Sequence, residues 1–159
     1  MALGSGPGFE RSDSPNAVIR ILALDTGQMT VVPGSQGLFS PRWSPDGRFI
    51  AALSFDSLRL MLFDVAARKW TQLVGNGSTF LGWESWSPDS RSLSYQAGAF
   101  EIRRVAIADR RTEVVVSGVG PDLANGLLGF WIGYTPDGSP MVLIDAGTHD
   151  IYALDWDAP

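Results

Sequence analysis

The sequence of 159 residues contains no cysteine, a single histidine and no long apolar run. Without cysteine the chain cannot form disulfides, iron–sulfur clusters or thiolate zinc sites. The single histidine, His149, excludes a metal site built from two histidines of one chain. No apolar run approaches the roughly 20 residues of a membrane-spanning helix, so we expect no membrane insertion.

Positive charge is also scarce, because 12 Lys and Arg stand against 17 Asp and Glu, for a formal net charge of −5. This balance offers no field that would attract nucleic acid, and we expect none as a partner. Residues 1–15 lack the basic and apolar regions of a signal peptide, and their Gly, Ser and Pro content predicts a flexible leader. The chain as given is therefore predicted to be cytoplasmic, with a periplasmic location open if it is a fragment.

The chain does contain a turn motif in three copies, which begin at Trp43, Trp86 and Tyr134. The copies start 43 and then 48 residues apart, which is the period of a four-stranded propeller blade. Pro presets φ for a turn, Asp bonds nearby backbone N–H groups, and Gly accepts a left-handed conformation. The motif therefore predicts structural turns at Pro45, Asp46, Gly47, Pro88, Asp89, Pro136, Asp137 and Gly138.

Strand patterns fill the interval between one turn and the next. A strongly apolar segment, residues 49–53 in the first copy, predicts a second strand buried on both faces. Alternating and β-branched segments predict a third and a fourth strand, the fourth at 28–32, 69–74 and 112–116. Helix signals are nearly absent, so the predicted fold class is all-β, with blades of four antiparallel strands.

These segments divide the chain into a partial blade at 16–36, blades at 37–77 and 78–118, and an incomplete blade at 127–159. About three blades make only a half-propeller, whereas closed propellers have four to eight. We therefore predict that two chains close a six-bladed ring as a homodimer, with strand 28–32 of one chain beside 151–155 of the other.

Several strings of the sequence resemble the WD-like repeats of the TolB-type β-propeller family, namely PRWSPDGRFIAAL, WSPDSRSLSY, LALDTGQ and IYALDWD. The resemblance covers residues 17–159. The tail from residue 133 also resembles the C-terminal half of propellers that bacterial regulators join to winged-helix or Ser/Thr kinase domains. The resemblance implies a platform that binds proteins or serves as a sensor input.

Catalytic chemistry is not apparent in the sequence. No Gly-x-Ser-x-Gly pentapeptide accompanies His149. The aspartates recur with every repeat, as turn-formers do, whereas a catalytic pair is usually unique in a fold. We therefore predict a protein that is not an enzyme and has no catalytic residue, metal or cofactor.

An aromatic residue begins each motif, at Trp43, Trp86 and Tyr134. These residues occupy equivalent positions, and we interpret them as packing between blades. The alternative is a surface on which sugars or bases stack. A binding surface is predicted around Arg42, Trp83, Glu84 and Trp131. The leading hypothesis is a non-enzymatic module that binds or scaffolds a protein or peptide. The alternatives are a ligand-sensing input domain of a transcription regulator or kinase, and an accessory propeller of a hydrolase.

Overall fold

The computed structural model describes residues 2–3, 15–98, 101–118, 125–126, 129–130, 132–144 and 147. Within these ranges the chain forms fifteen β-strands and no helix. The described residues accordingly include no helix that could span a membrane. The predicted all-β fold class is confirmed.

Two four-stranded antiparallel sheets follow one another along the chain, and in each the strands are ordered as in the sequence. The first complete blade consists of β4 (Leu38–Trp43), β5 (Phe49–Ser54), β6 (Leu60–Asp64) and β7 (Lys69–Val74). The second complete blade consists of β8 (Leu81–Trp86), β9 (Ser92–Ala97), β10 (Glu101–Ala106) and β11 (Thr112–Ser117). The two blades lie within the predicted ranges 37–77 and 78–118.

Smaller sheets flank the complete blades. The partial blade pairs β1 (Ala2–Leu3), β2 (Arg20–Leu22) and β3 (Met29–Val31), so two residues of the predicted leader take part in a sheet. The other pairs are β12 (Asn125–Gly126) with β13 (Gly129–Phe130), and β14 (Ile132–Tyr134) with β15 (Pro140–Val142). The predicted strand 151–155, His149 and Trp131 lie outside the described residues.

The core lies between blades, and β5, the second strand of the first complete blade, has apolar side chains on both faces. Ile50 and Ala52 of β5 pack toward Ile19 of the partial blade. Ala51 and Leu53 pack toward the second complete blade, where they join a cluster that includes Tyr95. All four β5 side chains are at most 2% exposed. The prediction of a strand buried on both faces is confirmed.

Each predicted turn is closed by the same side-chain network. In the first, the Ser44 hydroxyl donates to Asp46 Oδ1 (2.6 Å) and accepts from the Phe49 backbone N–H (2.9 Å). Asp46 Oδ1 also accepts from the Arg48 N–H (3.0 Å), and these bonds hold the pKa of the Asp46 carboxyl below its usual value. The same bonds recur around Ser87 and Asp89, and around Thr135 and Asp137.

A further turn of this type, which the sequence patterns did not reveal, joins β5 to β6. Ser54 donates to Asp56 Oδ1 (2.5 Å) and accepts from the Arg59 N–H (3.0 Å). It lacks the proline of the other copies, and Ser57 takes the left-handed position with φ 57°. A hydroxyl residue, Ser or Thr, two positions before an Asp is thus the part of the motif that all these turns share.

Hydrogen bonds across blades involve the motif residues themselves. The Trp86 indole donates to the Arg42 carbonyl of the preceding blade (2.9 Å), and the Tyr134 hydroxyl donates to the Trp83 carbonyl (3.3 Å). The Trp43 indole instead donates to Gly47 of its own turn (3.0 Å). The motif aromatics therefore tie successive innermost strands together, starting with Trp86.

Ser90 replaces the motif glycine and adds another bond across the blades. Its backbone is left-handed, with φ 60°, and its hydroxyl accepts from the Asp46 N–H of the preceding turn (3.0 Å). A non-glycine residue in this conformation costs about 1–2 kcal/mol, which is comparable to the contribution of one hydrogen bond, about 1 kcal/mol. The serine therefore offsets a strained turn with a contact between blades.

We predict that Ser90→Ala lowers the free energy of unfolding by about 1 kcal/mol, because it removes the bond to the Asp46 N–H and keeps the strain. Ser90→Gly should leave the free energy of unfolding close to that of the parent chain, because relief of backbone strain compensates for the lost hydrogen bond. Urea unfolding monitored by tryptophan fluorescence measures both. Ser57 is the matched control, because its hydroxyl bonds to no other blade: Ser57→Ala should be neutral and Ser57→Gly stabilising. Equal losses in the two Ser90 variants would contradict the account.

Candidate functional site

The two complete blades differ on the face that each turns toward the following blade. One row of cross-strand neighbours in the first blade runs Arg42, Ala51, Leu62, Thr71. The equivalent row in the second blade runs Ser85, Ser94, Arg104, Glu113. The buried apolar centre of the row has been replaced by a serine and an arginine.

On either side of this row, β9 also carries polar residues where β5 carries apolar ones. Ser92 and Gln96 of β9 occupy the positions of Phe49 and Leu53 in β5. Gln96 is only 4% exposed, and although its amide donates to the Gly98 carbonyl (2.9 Å), its side-chain oxygen has no hydrogen-bond partner among the described residues. The following-blade face of the second blade is therefore polar, whereas the first blade packs an apolar core there.

A cleft lies between this polar face and the hairpin β14–β15. Its inner part is a cavity of about 360 Å³, lined among others by Ser85, Ser94, Arg104, Tyr134 and Asp137. A neighbouring cavity of about 340 Å³ shares Ser92 and Arg104 with it and extends to Glu113. We call the two together the polar cleft. It crosses the second blade from its innermost strand to its outermost strand.

Arg104 supplies positive charge where the two cavities of the polar cleft meet, and Arg111 adds a second guanidinium in the neighbouring cavity. Arg104 Nη1 lies 3.5 Å from Glu113 Oε1, and the two side chains are 37% and 66% exposed. An exposed ion pair of this kind contributes about 0–1 kcal/mol, so the guanidinium can exchange partners at little cost. The hydroxyls of Ser85 and Ser94 make no hydrogen bond to another described residue. Both the charge and the hydroxyls are available to a bound molecule.

Two β-bulges shape the innermost strands beside the cleft. The register of β4 shifts between Phe39 and Arg42, and that of β8 shifts between Gly82 and Ser85. A left-handed residue lies in each bulge, Ser40 with φ 52° and Trp83 with φ 52°. Bulges redirect the side chains that follow them. Neither bulge was predicted, because neither left-handed position carries the glycine that would mark it.

The predicted binding surface is partly assembled and partly dispersed. Glu84 lies in the β8 bulge beside Trp83, and the Trp83 carbonyl accepts the bond from Tyr134, which lines the cleft. Arg42 lies on the first blade, exposed, with its guanidinium bonded to the Pro41 carbonyl (3.2 Å). Sequence reasoning missed Ser94, Arg104 and Tyr134 as members of a polar face. Comparison of equivalent strand positions in the two blades would have found the first two.

Glu84 is a buried acid at the junction of the innermost strands. It is 2% exposed, and neither carboxyl oxygen has a hydrogen-bond partner among the described residues. Burial raises the pKa of the Glu84 carboxyl, and the nearby Ser40 hydroxyl and Arg42 charge oppose that shift more weakly. Burial, followed by the Glu84 charge, also raises the pKa of the Tyr134 hydroxyl. The two groups therefore belong to one electrostatic unit.

We predict that Glu84→Gln makes the chain more stable than the parent at neutral pH. Below pH 4.5, the ordinary pKa of Glu, the Glu84 carboxyl is protonated in both the folded and the unfolded state. In that range it does not lower the free energy of unfolding. As pH rises past that value the unfolded state ionises first, so the parent loses stability up to the raised folded pKa. Thermal unfolding between pH 4 and 8 measures the difference, which should open as pH rises. Glu113→Gln, at an exposed acid, is the control. A difference that is constant with pH would contradict the assignment.

The cleft is suited to noncovalent binding. The described residues contain no group of three or more His, Cys, Asp or Glu side chains that could hold a metal ion. The polar lining of the cleft consists of hydroxyls, the guanidinium groups of Arg104 and Arg111, and the carboxylates of Asp89, Asp109, Glu113 and Asp137. The Oδ1 atoms of the three aspartates are engaged in their own turns. Such a set can bind and orient a polar molecule.

Comparison with solved structures identifies the architecture. TolB from Acinetobacter baumannii superposes with a TM-score of 0.59 at 25% identity, over 79% of this chain and 31% of that protein. A prolyl endopeptidase matches with a TM-score of 0.60 at 18% identity, over 90% of this chain and 26% of that one. An auxiliary nutrient binding protein from Bacteroides thetaiotaomicron matches with a TM-score of 0.58 at 11% identity, over 80% of this chain and 31% of that one. No protein-family model and no curated protein sequence matches.

The fold is thus that of a TolB-like β-propeller, as the sequence repeats predicted. The chain spans about a third or less of the length of these solved structures. The matches below 25% identity establish the blade architecture and nothing about ligands or reactions.

Proposed function

We propose that this chain is a non-enzymatic binding module of a TolB-like propeller, and that its polar cleft holds a peptide segment of a partner protein. The observation that carries the proposal is the polar row Ser85, Ser94, Arg104, at positions where the preceding blade has Arg42, Ala51 and Leu62.

A polar face between blades is unfavourable unless something binds there. Each Leu buried at such a position contributes about 1.5–3 kcal/mol, whereas a buried polar group without a partner costs about 1–3 kcal/mol. The first blade shows that the fold accepts an apolar solution at the same positions. Functional sites are where proteins depart from the most stable choice, and the polar row is such a departure.

The form of the cleft favours an extended peptide. Its two cavities, about 360 Å³ and about 340 Å³, meet at Ser92 and Arg104 and run across the sheet. Each falls within the range of specific ligand pockets, about 300–1,000 Å³. Hydroxyl and guanidinium groups can bond both peptide carbonyls and polar side chains. An input domain that senses a small polar ligand would use the same lining, and it remains the alternative.

The double variant Ser94→Ala, Arg104→Leu gives the second blade the residues of the first and supplies the test. We propose selecting a displayed random peptide library against the parent chain, with counter-selection against the variant. Enriched peptides are expected to bind the variant at least about tenfold more weakly, since each lost charge-assisted bond contributes about 1.5–3 kcal/mol. Isothermal calorimetry measures the affinities.

The variant should also melt at the parent temperature or above, because it carries the apolar residues that the first blade accepts at the equivalent positions. Arg103→Leu, on the opposite face of β10, is the control for loss of one arginine. Peptides that bind parent and variant equally, or a library that yields none, would contradict a binding role of the cleft. A double variant that unfolds would show that the polar row serves packing.

We also propose that a second copy completes the ring. Apolar side chains are exposed at both ends of the blade series, with Met29 and Val31 on β3 and Leu143 and Ile144 after β15. Val31 lies opposite Arg20, on the face of the partial blade turned away from Ile21 and the first blade. Exposed apolar surface at an uncovered blade face is typical of an interface.

Light scattering across a dilution series tests this assembly. The parent chain should have the mass of a dimer, and Val31→Glu should shift it to the monomer by placing a charge in the interface. Val114, on β11, is similarly exposed at 51% against 54% for Val31, so Val114→Glu is a matched control that should remain dimeric. A monomeric parent would exclude closure by a second copy.

A further inference from the structure

We propose that the group recognised by the polar cleft is a carboxylate of the bound peptide, held by Arg104 together with the Ser94 and Ser85 hydroxyls. The inference rests on the proposed peptide-binding function and specifies the chemistry of its ligand. The donors of the cleft that have no strong partner among the described residues indicate this chemistry.

The inner lining of the cleft offers donors. Arg104 has five N–H groups, and its contact with Glu113 is a single approach of 3.5 Å. The Ser85 and Ser94 hydroxyls can each donate one proton, and neither bonds to another described residue. Tyr134 directs its own proton to the Trp83 carbonyl. The guanidinium can only donate, so a ligand that binds it has to supply acceptors, and the two hydroxyls can donate to the same acceptors.

The spacing of the donors suits one planar anion. Ser94 lies directly opposite Arg104 on the neighbouring strand, and Ser85 lies opposite Ser94. Side chains at directly opposite positions are separated by about 5 Å at Cβ. A carboxylate that accepts from a guanidinium with one oxygen can reach an adjacent hydroxyl with the other. Bonds of this kind to a charged acceptor are about twice as strong as neutral ones.

The acidic groups around the cleft do not prevent this binding. Asp89, Asp109 and Asp137 are exposed, and each uses Oδ1 within its own turn. Glu113 is exposed, so solvent and salt screen it from a ligand. Glu84 is buried, and that burial favours its neutral form. Arg104 is the charged group shared by both cavities that is not already committed to a turn.

The test compares two peptides that differ in one group. The full chain, labelled with ¹⁵N, is titrated at neutral pH with tetra-alanine bearing a free C-terminal carboxylate, and separately with its C-terminal amide. The free acid is expected to shift the amide signals of Ser85, Ser94 and Arg104, and to bind at least about tenfold more tightly than the amide form. Glucuronate serves as a third probe, since its carboxylate belongs to a sugar.

Variants then assign the contact. Arg104→Leu should abolish the preference for the acid, and Arg104→Lys should retain part of it, because a lysine keeps the charge and loses the planar donor pair. Arg103→Lys, on the opposite face and paired with Glu101 at 2.6 Å, should change nothing.

The outcomes separate the two proposals. If both peptides bind the cleft equally, peptide binding holds and the carboxylate assignment is wrong. If glucuronate binds and neither peptide does, carboxylate recognition holds and the peptide function is wrong. If no probe shifts the cleft signals, both are overturned. An acid preference that survives in Arg104→Leu overturns the assignment to this residue.

Discussion

Every blade of this protein has to be covered on both faces, because its second strand projects side chains to both sides. In β5, Ile50 and Ala52 require the partial blade and Ala51 and Leu53 require the second complete blade. No single sheet can satisfy this requirement, so stability resides in the contacts between neighbours. The chemistry of each blade face therefore determines whether a joint between blades is a packed core or an open cleft.

The joints on the two sides of the second complete blade represent these two outcomes. Between the complete blades an apolar cluster is reinforced by the Trp86 bond to Arg42 and by the Ser90 bond to Asp46. After the second complete blade, the longer Tyr134 bond to Trp83 lies beside a face of serine, glutamine and arginine. The joint after the second complete blade is thus held less tightly and contains a cavity. A binding site needs both features.

Local chemistry explains how much of this could be predicted from the sequence. The three turns that carry the Pro-Asp motif are closed by their own side chains, so their positions and the strands between them followed from the motif. The turn at Ser54 lacks the proline and was missed. The bulges at Ser40 and Trp83 could not be predicted, since their left-handed residues carry no glycine signal. Ser90 gains its significance only from its hydrogen bond with Asp46 of another blade. A hydrogen bond between two blades cannot be predicted from the alternation of polar and apolar residues within one strand.

The polar row was recoverable from the repeats but not from a single strand. Taken alone, residues 92–97 alternate as any half-buried strand does, and Arg104 resembles an ordinary surface arginine. Only alignment with β5 and β6 reveals that Ser94 stands where Ala51 stands, and Arg104 where Leu62 stands. In a repeat protein the neighbouring blade is an internal reference with the same backbone and the same packing demand. A polar departure from that reference therefore indicates what a site does beyond folding, even where no homologous sequence is compared.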